Sequence, residues 1–157
     1  MNLFNLPEVS NSNMRALSWK EPYASLMLHG KVETRTWKTD YRGLVLICAS
    51  KKSYSENEVE NISGLNQCKR ILDVLDANEL MWETSLRRGK AIAVGRLVGC
   101  RRFEGSYDED PTFVKYNHGL WLHFYEDVRP IVPFDYKGSQ GWGKVSQDIF
   151  NKIEYCS

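Results

Sequence analysis

Three residues whose side chains could bind or react alternate along one short segment: Glu33, Arg35 and Trp37. Side chains of an extended strand alternate between its two faces, so a strand here would place a carboxylate, a guanidinium and an indole on one side. The planar guanidinium fits a phosphate or a base edge, and the carboxylate can orient it or accept a hydrogen bond from an exocyclic amine. An indole can stack on a base, a contact of about 1 to 3 kcal/mol. The spacing is therefore compatible with a nucleotide-binding site.

The same residue types also have purely structural uses. A glutamate and an arginine two positions apart on a strand often form a weak ion pair on a solvated face. Taken alone, Glu33 and Arg35 favour that solvated face, whereas the wider pattern of the chain favours a ligand cleft. For Trp37 we expect packing inside the protein, because large aromatic side chains contribute mainly to cores.

A glycine-rich segment late in the chain, residues 137–143, supplies further candidates for ligand binding. It carries Lys137, Gln140 and Trp142 between its glycines. Glycine lets backbone amides approach a ligand closely, and lysine can hold a backbone phosphate. We therefore predict ligand contacts from Lys137 and Gln140, and from Lys51 earlier in the chain. Trp142 either stacks on the ligand or packs.

The elements around Glu33 and Arg35 would hold them firmly. A short helix is predicted over residues 22–29, with proline in its first turn and Gly30 as a left-handed cap. The apolar run 44–49 predicts a buried strand. A turn over 39–43 separates it from the strand predicted over 31–37, which favours an antiparallel pair.

The remainder of the chain predicts an α+β domain built on a small barrel, mixed but mostly antiparallel, with flanking helices. Ser55 and Glu58 have the spacing of a capping box, and apolar residues over 66–75 follow helical periodicity, so we expect a helical insertion between strands. A strand is predicted over residues 90–103. Gly95 and Gly99 interrupt it and predict bulges in a curved sheet. A further strand is predicted over 120–125 and an extended segment over 128–133. A closing helix is predicted over 145–155.

Length and composition limit the classes of protein to consider. The chain has 157 residues and a net charge of +1, which suits one domain over 14–157 and argues against a strongly basic nucleic-acid coat. Residues 1–13 lack the features of a signal peptide and are expected to form a flexible extension. The sequence contains no apolar run long enough to span a membrane. The four cysteines are scattered without metal-binding spacing, so we expect a cytoplasmic protein with no metal and no cofactor.

These motifs stand in an order that resembles the ASCH domain family. The matching segments are residues 16–18, 22–26, 30, 33–37, 41–43, 49–52, 89–95, 129–130 and 137–142. The resemblance implies a PUA-like β-barrel that binds RNA or a nucleotide-like ligand, including modified nucleosides, in a cleft beside the first helix. It assigns Glu33 and Arg35 to that cleft directly.

The resemblance also leaves two alternatives open. A related bacterial group hydrolyses the amide of acetylated cytidine, which implies a small hydrolase acting on acylated nucleosides or on RNA, with Lys31 and Glu33 as catalytic residues. The family motif G-x-K-x-x-E-x-R is two residues longer between glycine and glutamate than the segment from Gly30 to Glu33. That shorter spacing favours binding over hydrolysis. A third reading is a protein-interaction module that docks a partner on the helical segment 55–81.

Overall fold

A computed structural model describes residues 14–77, 83–105 and 111–156 of the chain, in an α+β arrangement. The extension predicted over 1–13 lies outside these residues. The strands are β1 (Arg15–Trp19), β2 (Glu33–Arg35), β3 (Gly43–Ala49), β4 (Lys90–Arg102), β5 (Trp121–Asp135) and β6 (Gly143–Lys144). The helices are α1 (Tyr23–Leu26), continued by a 3₁₀ turn over Met27–His29, then α2 (Glu56–Ala77), α3 (Glu83–Arg87) and α4 (Gln147–Asn151).

The six strands form one curled sheet in the order β2-β5-β4-β3-β1-β6. The β1 and β3 strands run parallel, and the other neighbouring pairs are antiparallel, which confirms the prediction of a mixed, mostly antiparallel sheet. The register of β4 and β5 shifts near Gly95 and Gly99, as the two glycines predicted. These irregularities let the long strands bend, so that the sheet curls into a half-barrel.

The sequence of β3 is apolar because this strand lies near the middle of the sheet. One core cluster packs α1 and α2 against one face, and a second packs α4 and the C-terminal residues against the other. Leu44 to Ala49 are all buried because both faces of β3 are covered.

Local predictions near the site hold, but one predicted pairing is wrong. Gly30 ends the first helical segment with φ of 82°, and the capping box forms between Ser55 and Glu58 in both directions. The antiparallel hairpin predicted for 31–37 and 44–49 does not form, since β2 pairs with β5 and β3 lies between β1 and β4. The apolar side chains of β3 can pack beside any buried strand, so the sequence of β3 did not identify which strands it pairs with.

Two further element boundaries also differ from the predictions. The segments predicted over 120–125 and 128–133 are joined in the single strand β5, which begins at Trp121; β5 has 15 residues and its partner β4 has 13. The closing helix is limited to Gln147–Asn151, after which Tyr155 forms a bridge with Ile131 of β5. Pairing with the sheet satisfies backbone groups there that a longer helix would have satisfied internally.

Candidate functional site

A cleft of about 490 Å³ opens where the curled sheet fails to close, between β2 at one edge and β1 near the other. Trp19, Tyr23, Trp37 and Tyr54 supply its aromatic lining. Its other lining residues are Ser18, Lys20, Lys31, Glu33, Thr34, Arg35, Thr36, Ser50, Ile62, Val114, Leu120, Ser139, Gln140 and Gly141. Among the described lining residues, three side chains are cationic and one is a carboxylate, so this part of the lining carries a net positive charge.

A chain of two ion pairs forms the polar floor of this cleft. Lys31 Nζ lies 3.2 Å from Glu33 Oε1, and Arg35 Nε lies 2.8 Å from Glu33 Oε2. The side chains of Lys31 and Glu33 are 1% and 6% exposed, whereas that of Arg35 is 21% exposed. Alternation along β2 places Glu33 and Arg35 on one side, as the sequence predicted, and Lys31 reaches Glu33 from just before the strand. Of the three, Arg35 is the one that solvent or a ligand can reach.

The ammonium of Lys31 is saturated by protein oxygens. Besides Glu33, it donates to the backbone carbonyls of Thr112 at 2.6 Å and Val32 at 3.2 Å. An ammonium has three protons, so these partners leave none for a ligand. The Val32 N–H also donates to the Pro111 carbonyl at 2.8 Å. This bond and the bond from Lys31 to Thr112 together fasten the segment 111–114 to the start of β2.

Burial and neighbouring charge act oppositely on the two buried ionisable groups. Burial alone would raise the pKa of Glu33, but Arg35 and Lys31 outweigh it and hold this pKa below its ordinary value of 4.5. Burial lowers the pKa of Lys31 below its ordinary 10.5, against the opposing attraction of Glu33. The carboxylate is therefore held ionised at neutral pH, as an anchor for both cations.

Arg35 connects β2 to β1, the two strands that border the cleft. Its Nη2 donates to the backbone carbonyl of Ser18 on β1 at 3.1 Å, and its guanidinium lies 5.0 Å from the centre of the Trp19 ring. These contacts and the Glu33 pair fix the plane of the guanidinium while occupying only part of its five N–H groups. The remaining donors can serve an anionic or carbonyl-bearing ligand in the cleft.

The late loop reaches the cleft through its middle residues. Ser139, Gln140 and Gly141 line it. Gly138 lies directly against Ser18 of β1, where a Cβ atom would clash with the serine hydroxyl. A side chain at position 138 would force Ser18 to move, so glycine suits this close approach of the loop to β1.

Trp142 takes part in a ladder of aromatic contacts behind this loop. Its ring meets Trp37 at 5.7 Å and Tyr41 at 5.3 Å, both edge to face. Trp37 in turn packs at 5.0 Å from the buried ring of His123, whose Nε2 hydrogen-bonds to the Trp37 carbonyl. The expected packing of Trp37 is therefore observed, although its side chain also borders the cleft. Trp142 does not line the cleft and anchors the loop instead.

Other predicted ligand residues are not brought together. Lys51 and Lys137 are exposed and do not line the cleft, although each lies within two residues of one that does. Conversely, the sequence prediction missed Lys20 and Tyr54, whose side chains meet with 4.9 Å between the ammonium and the ring centre. Tyr54 follows two lysines, and that local mixture of basic and aromatic residues was its only sequence signal.

Comparisons with known proteins do not assign the chain to a family. No family model matches it, and no curated protein is significantly similar. Within the described ranges, no cluster of three or more histidine, cysteine or acidic side chains could hold a metal ion. None of the helices described is both long and apolar enough to cross a membrane.

Proposed function

We propose that the chain is an ASCH-type, PUA-like domain with a helical insertion at α2, and that it binds RNA or a nucleotide-like ligand in the cleft. The observation that supports this most is the fixed, partly exposed guanidinium of Arg35 in a cleft with aromatic walls and a net positive charge among its described lining residues. Phosphate and carbonyl groups suit the guanidinium, and bases suit the indole and phenol rings. A cytoplasmic setting accords with the four free cysteines.

Binding of short single-stranded RNA at several salt concentrations tests the proposal. Arg35→Ala is expected to weaken binding about 10- to 100-fold, the range for losing a charge-assisted hydrogen bond of about 1.5 to 3 kcal/mol. Gln140→Ala, an exposed change on the loop, should weaken binding several-fold without altering stability. Equal affinity of wild type and both variants would contradict the proposal.

Arg35 also connects β2 to β1, so a control for folding is needed. Thermal unfolding of Arg35→Ala and of the conservative Arg35→Lys separates loss of binding from loss of structure. Lys152→Ala removes an exposed positive charge outside the cleft lining and should leave RNA affinity nearly unchanged. A similar loss in Lys152→Ala would indicate general charge attraction rather than a cleft.

Hydrolysis of an acylated nucleoside or of RNA is the second candidate function, with Lys31 and Glu33 as its catalytic residues. The lowered pKa of Lys31 favours it, since a catalytic lysine must lose its proton. The three oxygen partners of its ammonium oppose it, so we rank binding first. We expect no turnover of acetylated nucleosides or labelled RNA above a Glu33→Ala control, and clear turnover by wild type alone would reverse this ranking.

A protein-interaction role would use a different surface. On α2, Leu65 is 81% exposed and Leu72 is 48% exposed. Both lie in the helical segment 55–81 that the sequence suggested as a docking surface. Residues 78–82 of that segment are outside the described residues.

A further inference from the structure

A row of cationic and aromatic side chains crosses three strands beside the cleft. Arg35 of β2 is paired directly with Trp121 of β5, and Trp121 is paired with Arg102 of β4. Directly opposite residues of antiparallel strands project from the same face of the sheet. Arg35, which lines the cleft, therefore begins a row that runs through Trp121 to Arg102.

A second cation joins this row from the segment that follows β2. Lys38 Nζ lies 5.9 Å from the centre of the Trp121 ring, and the Arg102 guanidinium carbon lies 5.7 Å from it. Both cationic side chains are exposed. Neither forms an ion pair with a described residue, so their charge is not neutralised within that part of the chain.

The row is continuous with the cleft. Leu120, the neighbour of Trp121 in sequence, lines the cleft together with Arg35. A ligand that extends beyond the cleft on this side would meet an indole with two cationic groups within about 6 Å of its ring centre. Repeating negative charge with flat aromatic rings is the chemistry that matches such a surface, and single-stranded nucleic acid carries both.

We propose that Lys38, Trp121 and Arg102 form a track for a single-stranded nucleic acid whose neighbouring nucleotide occupies the cleft. The inference rests on the proposed function and narrows it, because it makes a polynucleotide, rather than a free nucleoside, the preferred ligand. In this arrangement Lys38 and Arg102 hold phosphates and Trp121 offers a surface for a base.

The chain contains a matched control for this track. Arg101 is also exposed and lies 5.3 Å from the Phe124 ring, so it has the same charge and a similar aromatic neighbour. Consecutive strand residues point to opposite faces, and Arg101 therefore projects away from the face that carries Arg102. Nonspecific attraction would make the two arginines equivalent, whereas a track would not.

The experiment measures affinity for a single-stranded RNA of about eight nucleotides, within the range of single-strand binding folds, and for one nucleoside monophosphate. The double variant Lys38→Ala/Arg102→Ala should bind the RNA about tenfold more weakly. Its salt dependence should be shallower by about 1.4 in log-log slope, for two lost phosphate contacts. Binding of the monophosphate should not change, and Arg101→Ala should retain near wild-type RNA affinity.

Two results would overturn the track. The first is wild-type RNA affinity in the double variant, and the second is an equal loss in Arg101→Ala. In either case, loss of monophosphate and RNA binding in Arg35→Ala would leave the proposed function intact. If wild type binds neither ligand, the proposed function itself fails. The substituted side chains are exposed, and thermal unfolding verifies that the variants fold.

Discussion

Replacing Glu33 with alanine is expected to lower the free energy of unfolding by about 3 to 5 kcal/mol, the cost of breaking a buried ion pair from one side. The carboxylate neutralises Lys31 and also holds Arg35. Without it, the ammonium is left buried with only carbonyl oxygens as partners. Chemical denaturation of wild type and variant at neutral pH measures the difference.

The size of this effect can be compared with that of an exposed pair in the same protein. Asp135, whose side chain is 92% exposed, lies 2.7 Å from Lys90. Because exposed pairs contribute at most about 1 kcal/mol, Asp135→Ala should change stability by no more than that amount. A Glu33→Ala variant no less stable than Asp135→Ala would show that the cluster does not hold the fold.

The same carboxylate should make stability depend on pH on the acid side. Because the folded pKa of Glu33 lies below its unfolded value of about 4.5, its contribution is fully present above that value and is lost as pH falls through the folded pKa. The wild type should therefore lose stability from about pH 5 downward more steeply than Glu33→Gln. Parallel curves for the two proteins would contradict this origin.

Replacing Trp142 with alanine is the second change with a large expected effect, because it should reduce both stability and binding. The side chain is half-buried, so we expect a loss of about 2 kcal/mol, below the 3 to 5 kcal/mol typical of a large buried aromatic. Without the contacts to Trp37 and Tyr41, the segment 139–141 would no longer be held over the cleft. RNA affinity should fall about tenfold, a change equivalent to about 1.4 kcal/mol.

The conservative variant Trp142→Phe separates anchoring from direct stacking. A phenyl ring can keep part of the edge-to-face packing, so this variant should retain most of the stability and most of the affinity. Denaturation and RNA titration of the three proteins provide the comparison. Weaker binding in Trp142→Ala with unchanged stability would instead indicate that the indole contacts the ligand.

Most of the local structure around the site could be predicted because it depends on residues close in sequence. Period-two alternation placed Glu33 and Arg35 on one side of β2, and their shared ion pair shows this geometry. The left-handed Gly30 and the capping box at Ser55 likewise follow from local stereochemistry. The bulges near Gly95 and Gly99 were predictable for the same reason.

The composition of the cleft depended on distant contacts. Lys20 and Tyr54 come from segments whose sequence signals are weak, and they meet because they follow the neighbouring parallel strands β1 and β3. Lys51 and Lys137 had the expected chemistry, yet their exposed positions lie outside the lining. A charged residue in a loop can turn in many directions, and neighbouring sequence does not select one.

By itself, the sequence determined that Glu33 and Arg35 share a face, that the domain combines helices with a curved sheet, and where several elements begin and end. Only the tertiary structure decided the partner of β2 and the roles of Lys31 and Trp142. Lys31 is satisfied by the carbonyl of Thr112, which is 81 positions away, and Trp142 packs on residues about a hundred positions earlier. Such contacts form when the chain closes on itself, and local stereochemistry alone does not encode them.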